Sequence, residues 1–380
     1  MCVKQRILVV FLLVCLLLVS GVVTNIVLEA VYHPGQTQAE TPVFPASKVT
    51  LLHTIIEAEF LRPGVIQKNI RESAVEQEAG SWTSFDYTVH VERQGVFSEI
   101  AYALSEVVPA NGGKIFQTYF QQEGHEASIS LGIDAFITHT ISVTWDALPQ
   151  ETPVPVQEQS SGKYLAAIVI DDLGASDYAV QRLLNMGADF TFSVLPHLEK
   201  SASIATRLHE EQKEILLHLP MEPQGYEYPG TGAILMNMTV DAIQRAIHED
   251  LQTVPFAVGV NNHMGSRLTA SAEKMQAVVQ TLREQNLFFL DSRTSGRTVA
   301  YKTAQQLGLR SAERKVFLDS IPGYDFARSQ LQELAALAEQ GKTAIAIGHP
   351  KDATLKALED MLPEFRERNI DIVRLSQFVE

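Results

Sequence analysis

The sequence predicts an α/β fold whose larger part is a (β/α) barrel of seven or eight strands, closed or nearly closed; an open doubly wound sheet is the alternative. Three observations lead there. Short apolar runs recur from residue 165 to the C-terminal end, helical stretches separate most of them, and most of the runs end in Asp, His or Asn. Alternating strand and helix implies parallel strands joined by crossover helices. The chain has 380 residues, 46% apolar and 20% charged, which suffices for more than one domain with a packed core. Its net charge of -15 argues against non-specific nucleic-acid binding, which depends on clustered Lys and Arg.

The elements follow in order. In residues 1–28, Lys4 and Arg6 precede an apolar run from Ile7 to Leu28. This reads as a signal peptide or membrane anchor, with the N-terminus inside and the remainder exported to the periplasm or cell envelope. The run is long for a signal core and no clear A-x-A site follows, which favours the anchor. Both cysteines, Cys2 and Cys15, lie in this segment, so the exported body has no disulfide and any metal site must use His, Asp and Glu. Residues 29–48 read as a tether. Residues 49–146 read as a small α/β domain. "VTLLHTIIEAEFL" and "VFSEIAYALSEVVPA" are its helices, and "FDYTVHVE", "KIFQTYFQQ", "EASISLGI" and "HTISVTW" its strands. Its polar residues form no chemical pattern, so a spacer or protein-partner role is the default. Residues 147–163, rich in Pro, Gln, Glu and Ser, read as a linker.

Residues 164–380 carry the barrel rhythm. The strand runs are "LAAIVI", "DFTFSVL", "EILLHL", "PFAVGV", "LFFL", "KVFL", "TAIAIG" and "IDIVRL". No G-x-G-x-x-G or G-x-x-x-x-G-K-[ST] follows any of them, so nucleotide binding has no support. The runs end successively at Asp171 and Asp172; His197; His218 and then Glu222; Asn261, Asn262 and His263; Asp291; Asp319; and His349. One Asp at a strand end is ordinarily a turn former or helix N-cap. A whole set is different, because parallel α/β folds gather the carboxyl ends of their strands on one face. Asp, Glu and neutral His suit Zn²⁺ or another divalent first-row metal. With a carboxylate to take a proton and a His to give one, Asp171, Asp172, His218, His263 and His349 provide the groups for metal-assisted hydrolysis. Arg267, Arg293 and Arg297 read as contacts for a substrate carboxylate or as counter-charges to the acids. His209 and His248 read as surface residues of polar helices.

The ordered series "IVIDDLG", "TFSVLPH", "LLHLPMEP", "NNHMGSRLT", "FFLDSRT", "VFLDS" and "IGHP" resembles the divergent polysaccharide deacetylases, a remote branch of the NodB-like carbohydrate esterases, over residues 164–376. The resemblance implies a distorted (β/α) barrel holding a divalent metal, zinc first, and removal of N- or O-acetyl groups from a cell-envelope glycan. It implies Asp171 as general base, Asp172 as metal ligand, His218 as the first His of the H-x-x-x-H motif, His349 as the acid, and Asp291 as the acid that orients the base region. Glu222 stands where the second His of that motif would be, so the third ligand is Glu222 or His263. The family's substrate-contacting arginine motif is absent here, and Asn262, Arg267 and Arg293 are the candidate substrate contacts. The alternative function is a non-catalytic glycan-binding or envelope scaffold on the same barrel.

Overall fold

The computed structural model describes residues 46–77, 80–121, 125–146 and 163–380. The expected anchor or signal, the tether up to residue 45 and the linker over 147–162 lie outside the described residues. Among the described residues, no helix is long and apolar enough to cross a membrane.

The N-terminal part is a five-stranded mixed sheet with two helices. Helix α1 spans Ala46–Glu59 and α2 spans Gln94–Ala110. The strands are β1 (Val65–Gln77), β2 (Gly80–Val91), β3 (Lys114–Gln121), β4 (Glu126–Ile133) and β5 (Phe136–Trp145), in the order β1-β2-β5-β4-β3. From Phe85 to Val91 of β2 every second residue is buried, Phe85, Tyr87, Val89 and Val91, the period-two pattern of a half-buried strand. Strand β1, "VIQKNIRESAVEQ", was not expected. It is exposed or half-exposed along its whole length, so it carries no apolar alternation to read.

The C-terminal part is a curled, wholly parallel sheet of nine strands: β6 (Tyr164–Leu173), β7 (Thr191–Val194), β8 (Glu214–Met221), β9 (Gly259–Met264), β10 (Phe288–Asp291), β11 (Ser311–Glu313), β12 (Val316–Phe317), β13 (Ile345–Gly348) and β14 (Ile370–Ile372). Their order is β11-β10-β9-β8-β7-β6-β13-β12, with β14 also paired to β6. The helices are α3 (Asp177–Asn185), α4 (Ser201–Glu210), α5 (Val240–Thr253), α6 (Ala272–Glu284), α7 (Ala300–Gln306), α8 (Tyr324–Glu339) and α9 (Asp352–Glu367). The runs are continuously apolar because both faces of the sheet are covered. Ile168 and Ile170 of β6 pack in the large core that also holds helix residues such as Val180 and Leu358, while Ala167 and Val169 pack in a second core with Leu216, Leu290, Phe317 and Ile347.

The sheet is not a hydrogen-bonded closed barrel: its end strands, β11 and β12, do not pair. Only Arg314 and Lys315 separate them in the chain. Arg314 is buried there; its Nε donates to Ser292 O (2.7 Å), its Nη2 to Arg293 O (3.0 Å), and its guanidinium stacks 4.6 Å from the Phe317 ring centre. Ser311–Glu313 and Ala300–Gln306 were not expected, the strand because three residues are too few for periodicity.

Ser47–Ser73 and Thr83–Glu380 form one compact unit, so the core of the mixed sheet and the parallel sheet belong to the same body. Helix α2 packs on β3 along one side and on β12 and α8 along another. Its seat is specified by polar contacts: Ser98 Oγ donates to Phe317 O (3.2 Å) and meets Ser320 Oγ (2.7 Å), and Gln94 Nε2 donates to Ser329 Oγ (2.5 Å).

Candidate active site

Adjacent residues of a regular strand point to opposite faces, so Asp171 and Asp172 should not serve one site. A bulge resolves this. Against β7 the register passes from Ile170↔Phe192 to Leu173↔Val194, which leaves one extra residue on β6. Asp172 takes a left-handed φ of 58°, a conformation that Asp tolerates better than most residues. Both carboxylates then line one cleft of about 230 Å³, together with His218, His263 and His349.

Three donor atoms converge there. Asp172 Oδ1 lies 3.2 Å from His218 Nε2 and 3.0 Å from His263 Nδ1, and the two imidazole nitrogens are 3.2 Å apart. Among the described residues, nothing gives the buried Asp172 Oδ1 a well-aligned hydrogen bond. A tetrahedral ion with bonds near 2.0–2.1 Å holds its donors about 3.3 Å apart, so the three atoms have the spacing of one face of such a site. Asp172, His218 and His263 thus form a group able to hold a metal ion.

Surrounding groups set the donors. Asn261 Oδ1 accepts from Ser193 Oγ (2.5 Å) and from His218 Nδ1 (3.0 Å). An amide oxygen can only accept, so His218 carries a proton on Nδ1, and Nε2 is the nitrogen turned toward the site. The Asn261 amide Nδ2 donates to both oxygens of Asp171 (2.9 and 3.1 Å). One side chain therefore holds both the buried Asp171 carboxylate and His218. Burial pushes the Asp172 carboxyl up, but the neighbouring imidazoles of His218 and His263 outweigh it and hold the group well below the usual carboxylate range.

On the other side of the cleft, buried Asp319 accepts from His349 Nδ1 (2.8 Å), from the His349 backbone N–H (2.9 Å) and from Thr354 Oγ1 (2.9 Å). His349 Nε2 then faces Asp172 Oδ2 at 3.7 Å. Burial lowers the His349 pKa, but the Asp319 charge and hydrogen bond, then Asp172 and Asp171, raise it to about 9. At neutral pH the imidazolium is the stable form, with an Nε2–H to give.

Other expected residues have different surroundings. Glu222 is not placed as a ligand: its Oε2 accepts from Met236 N (2.6 Å) and its Oε1 from Arg267 Nη1 (2.5 Å), and its backbone pairs with Ile234, Arg267 and Leu268. It ties together the loops after β8 and β9, and Arg267 is committed to it. Asp291 ends β10 and is not among the residues that line this cleft. Its carboxylate accepts from Arg293 N, Thr298 Oγ1 and Tyr301 N and so organises the loop after β10. Asn262 lines the cleft but straps β9 to the β10 loop, donating to Met264 O (2.8 Å) and accepting from Ser292 N (2.9 Å). Arg293 pairs with Glu313 (2.6 Å) and Glu99 (3.7 Å). His197 pairs with buried Asp250 through Nε2 (2.7 Å). In the turn "NNHMGS", Gly265 has φ 88°, and a Cβ there would lie 2.8 Å from Met221 Cβ, so the close approach of this loop to β8 needs glycine.

Two pairs of residues were left without a role by the sequence. Asn261 and Asp319 were visible at strand ends, but the atoms they hold were not. Tyr102 and Glu106 of α2 also line the cleft; they come from the part of the chain whose polar residues formed no pattern.

Residues 168–379, more than half the chain, match the divergent polysaccharide deacetylase family, and the chain belongs to it. Among curated proteins it is 39% identical over 196 residues to the uncharacterized protein YibQ of Escherichia coli (strain K12), covering 52% of this chain and 61% of that one. It is 34% identical over 195 residues to an uncharacterized protein of Haemophilus influenzae, covering 51% and 69%. The match thus spans about three fifths of the E. coli relative. An uncharacterized protein from Agrobacterium tumefaciens C58 shares the fold, with a TM-score of 0.55, 24% identity, and coverage of 58% of this chain and 91% of that one.

Proposed function

We propose that this protein is an exported, zinc-dependent hydrolase that removes N- or O-acetyl groups from a cell-envelope polysaccharide. The observation that carries the reading is the convergence of Asp172, His218 and His263 on one point, with Asp171 on one flank and the Asp319–His349 pair on the other. Family membership supports the polysaccharide substrate. The basic and then apolar residues 1–28 support export with an anchor in the membrane.

Asp172, His218 and His263 would hold the cation, which supplies Lewis acidity toward the acyl oxygen and toward water. The chain's own groups do the rest. Asp171, fixed by Asn261, takes a proton from the attacking water. His349, kept protonated and oriented by Asp319, gives its Nε2 proton to the leaving nitrogen or oxygen as the acyl bond breaks. Asn261 keeps the His218 lone pair directed into the site throughout.

The test is acetate release from acetylated chitooligosaccharides and peptidoglycan by the purified protein with zinc, beside Asp171→Asn and His349→Ala. The expected result is one bound metal and activity that falls at least about a hundredfold in either variant. A folded protein with no bound divalent metal, or an Asp171→Asn variant as active as wild type, refutes the reading. Glycan binding without acetate release would favour the non-catalytic alternative.

A further inference from the structure

Two residues from outside the family-matched segment stand in the cleft. Tyr102 and Glu106 are one helical turn apart on α2, so both point to one side of that helix. They line the same cleft as Asp171, Asp172, His218, His263 and His349. The Tyr102 ring packs 4.6 Å from that of Phe317, whose own ring lies 5.6 Å from the His349 imidazole. The contacts of Gln94 and Ser98 with the parallel sheet and α8 fix the seat of α2, so this wall has a defined position.

Glu106 is the less easily explained of the two. Its Oε2 is buried and has no hydrogen-bond partner among the described residues. A buried carboxylate oxygen without a partner is costly, and neither the fold nor the proton transfers above use it. Burial, with the charge of Glu227, pushes its carboxyl up to about 7. An acid so placed exchanges hydrogen bonds with neutral hydroxyls and repels anions.

We infer that α2 completes the substrate cleft and that Glu106 is a specificity-determining residue, which hydrogen-bonds a hydroxyl of an uncharged sugar ring beside the acetylated one. The ligand class rests on the hydrolase reading; the presence of a built binding wall does not. Acidic glycans are disfavoured at this end of the cleft, because Glu227 adds a second negative charge near Glu106.

The test is calorimetric binding of a neutral acetylated chitooligosaccharide to the full chain with zinc. Glu106→Ala should weaken the affinity about tenfold, as expected for one hydrogen bond to an acid. Glu106→Gln should recover it to within about threefold, a rescue that a merely structural role would not give, and should improve binding of a uronate-containing oligosaccharide. Equal affinity in Glu106→Ala overturns the inference, as does the absence of measurable binding to the wild-type protein. Acetate release is measured separately. Binding through Glu106 with no acetate released overturns the hydrolase reading alone, and acetate release with unchanged affinity in Glu106→Ala overturns this inference alone.

Discussion

Asn261→Leu tests whether one amide aligns the metal site. Leu keeps the branched shape and heavy-atom count of Asn with a somewhat larger volume, so no cavity opens. What disappears is the acceptor for His218 Nδ1–H at 3.0 Å and the donor to Asp171 at 2.9 and 3.1 Å. The lost hydrogen bond to His218 costs about 1 kcal/mol, and a buried N–H left unpaired adds about 1–3 kcal/mol. His218 is 2% exposed, so water cannot easily replace the amide. If roughly 1.5–3 kcal/mol of this falls on the aligned ligand state, zinc affinity drops about 10–100-fold, the range typical of groups that orient metal ligands. The assay is competition for zinc with a chromophoric chelator, on protein shown by circular dichroism and melting to be folded. Ser193→Ala, which removes only the donor into Asn261 Oδ1 at 2.5 Å, should cost less than about fivefold. A folded Asn261→Leu protein that binds zinc within twofold of wild type refutes the reasoning.

Three further outcomes are expected. His263→Ala should lose the bound metal, while Glu222→Gln should retain it within about threefold and instead loosen the loops that Met236 N and Arg267 tie to it; elemental analysis with hydrogen exchange separates the two. Asp319→Asn should bring the His349 titration, followed by NMR in the metal-free protein, down from about 9 toward 6.5, because the largest charge favouring the imidazolium is gone; an unmoved titration contradicts the pairing. Burial, then the charge of His53, holds the His139 pKa down at about 3 against 6.5, and its buried Nε2 has no hydrogen-bond partner among the described residues. The unfolded chain therefore takes up a proton below 6.5 that the folded one refuses. The stability is fully present above that pH and is lost as the pH falls toward 3. Urea melts should show His139 removing about 2 kcal/mol between about pH 7 and pH 5, a loss absent in a folded His139→Phe variant.

Much of the parallel sheet could be read from the sequence because burial on both faces leaves a simple mark: uninterrupted apolar runs such as "LAAIVI" and "TAIAIG". The converging site could be read for a related reason. Once strands are parallel, Asp172, His218, His263 and His349 must share one end of the sheet. What could not be read depends on loop geometry. Glu222 and His263 were both plausible donors by type, with only a slight preference for His263, and the choice turns on Met236 N and Arg267, which occupy the Glu222 carboxylate from 14 and 45 residues away. The bulge that lets Asp171 and Asp172 face the same way has no composition signal. Tyr102 and Glu106 lay in a helix that was foreseen, but which sheet their face would meet was not.

The unpaired ends of the curled sheet bear on how the molecule behaves in company. A free strand edge invites a neighbour to add to it. Here the end strands are three and two residues long, and the N–H of Ser311 on β11 is already taken by Glu380 O at 2.9 Å. The long edge is β1, with thirteen residues, and Lys68, Arg71, Glu72 and Glu76 punctuate it with charge of both signs. The longest edge among the described residues is thus one that its own charges make hard to stack, and removing those four charges is the change expected to let β1 pair with a neighbour.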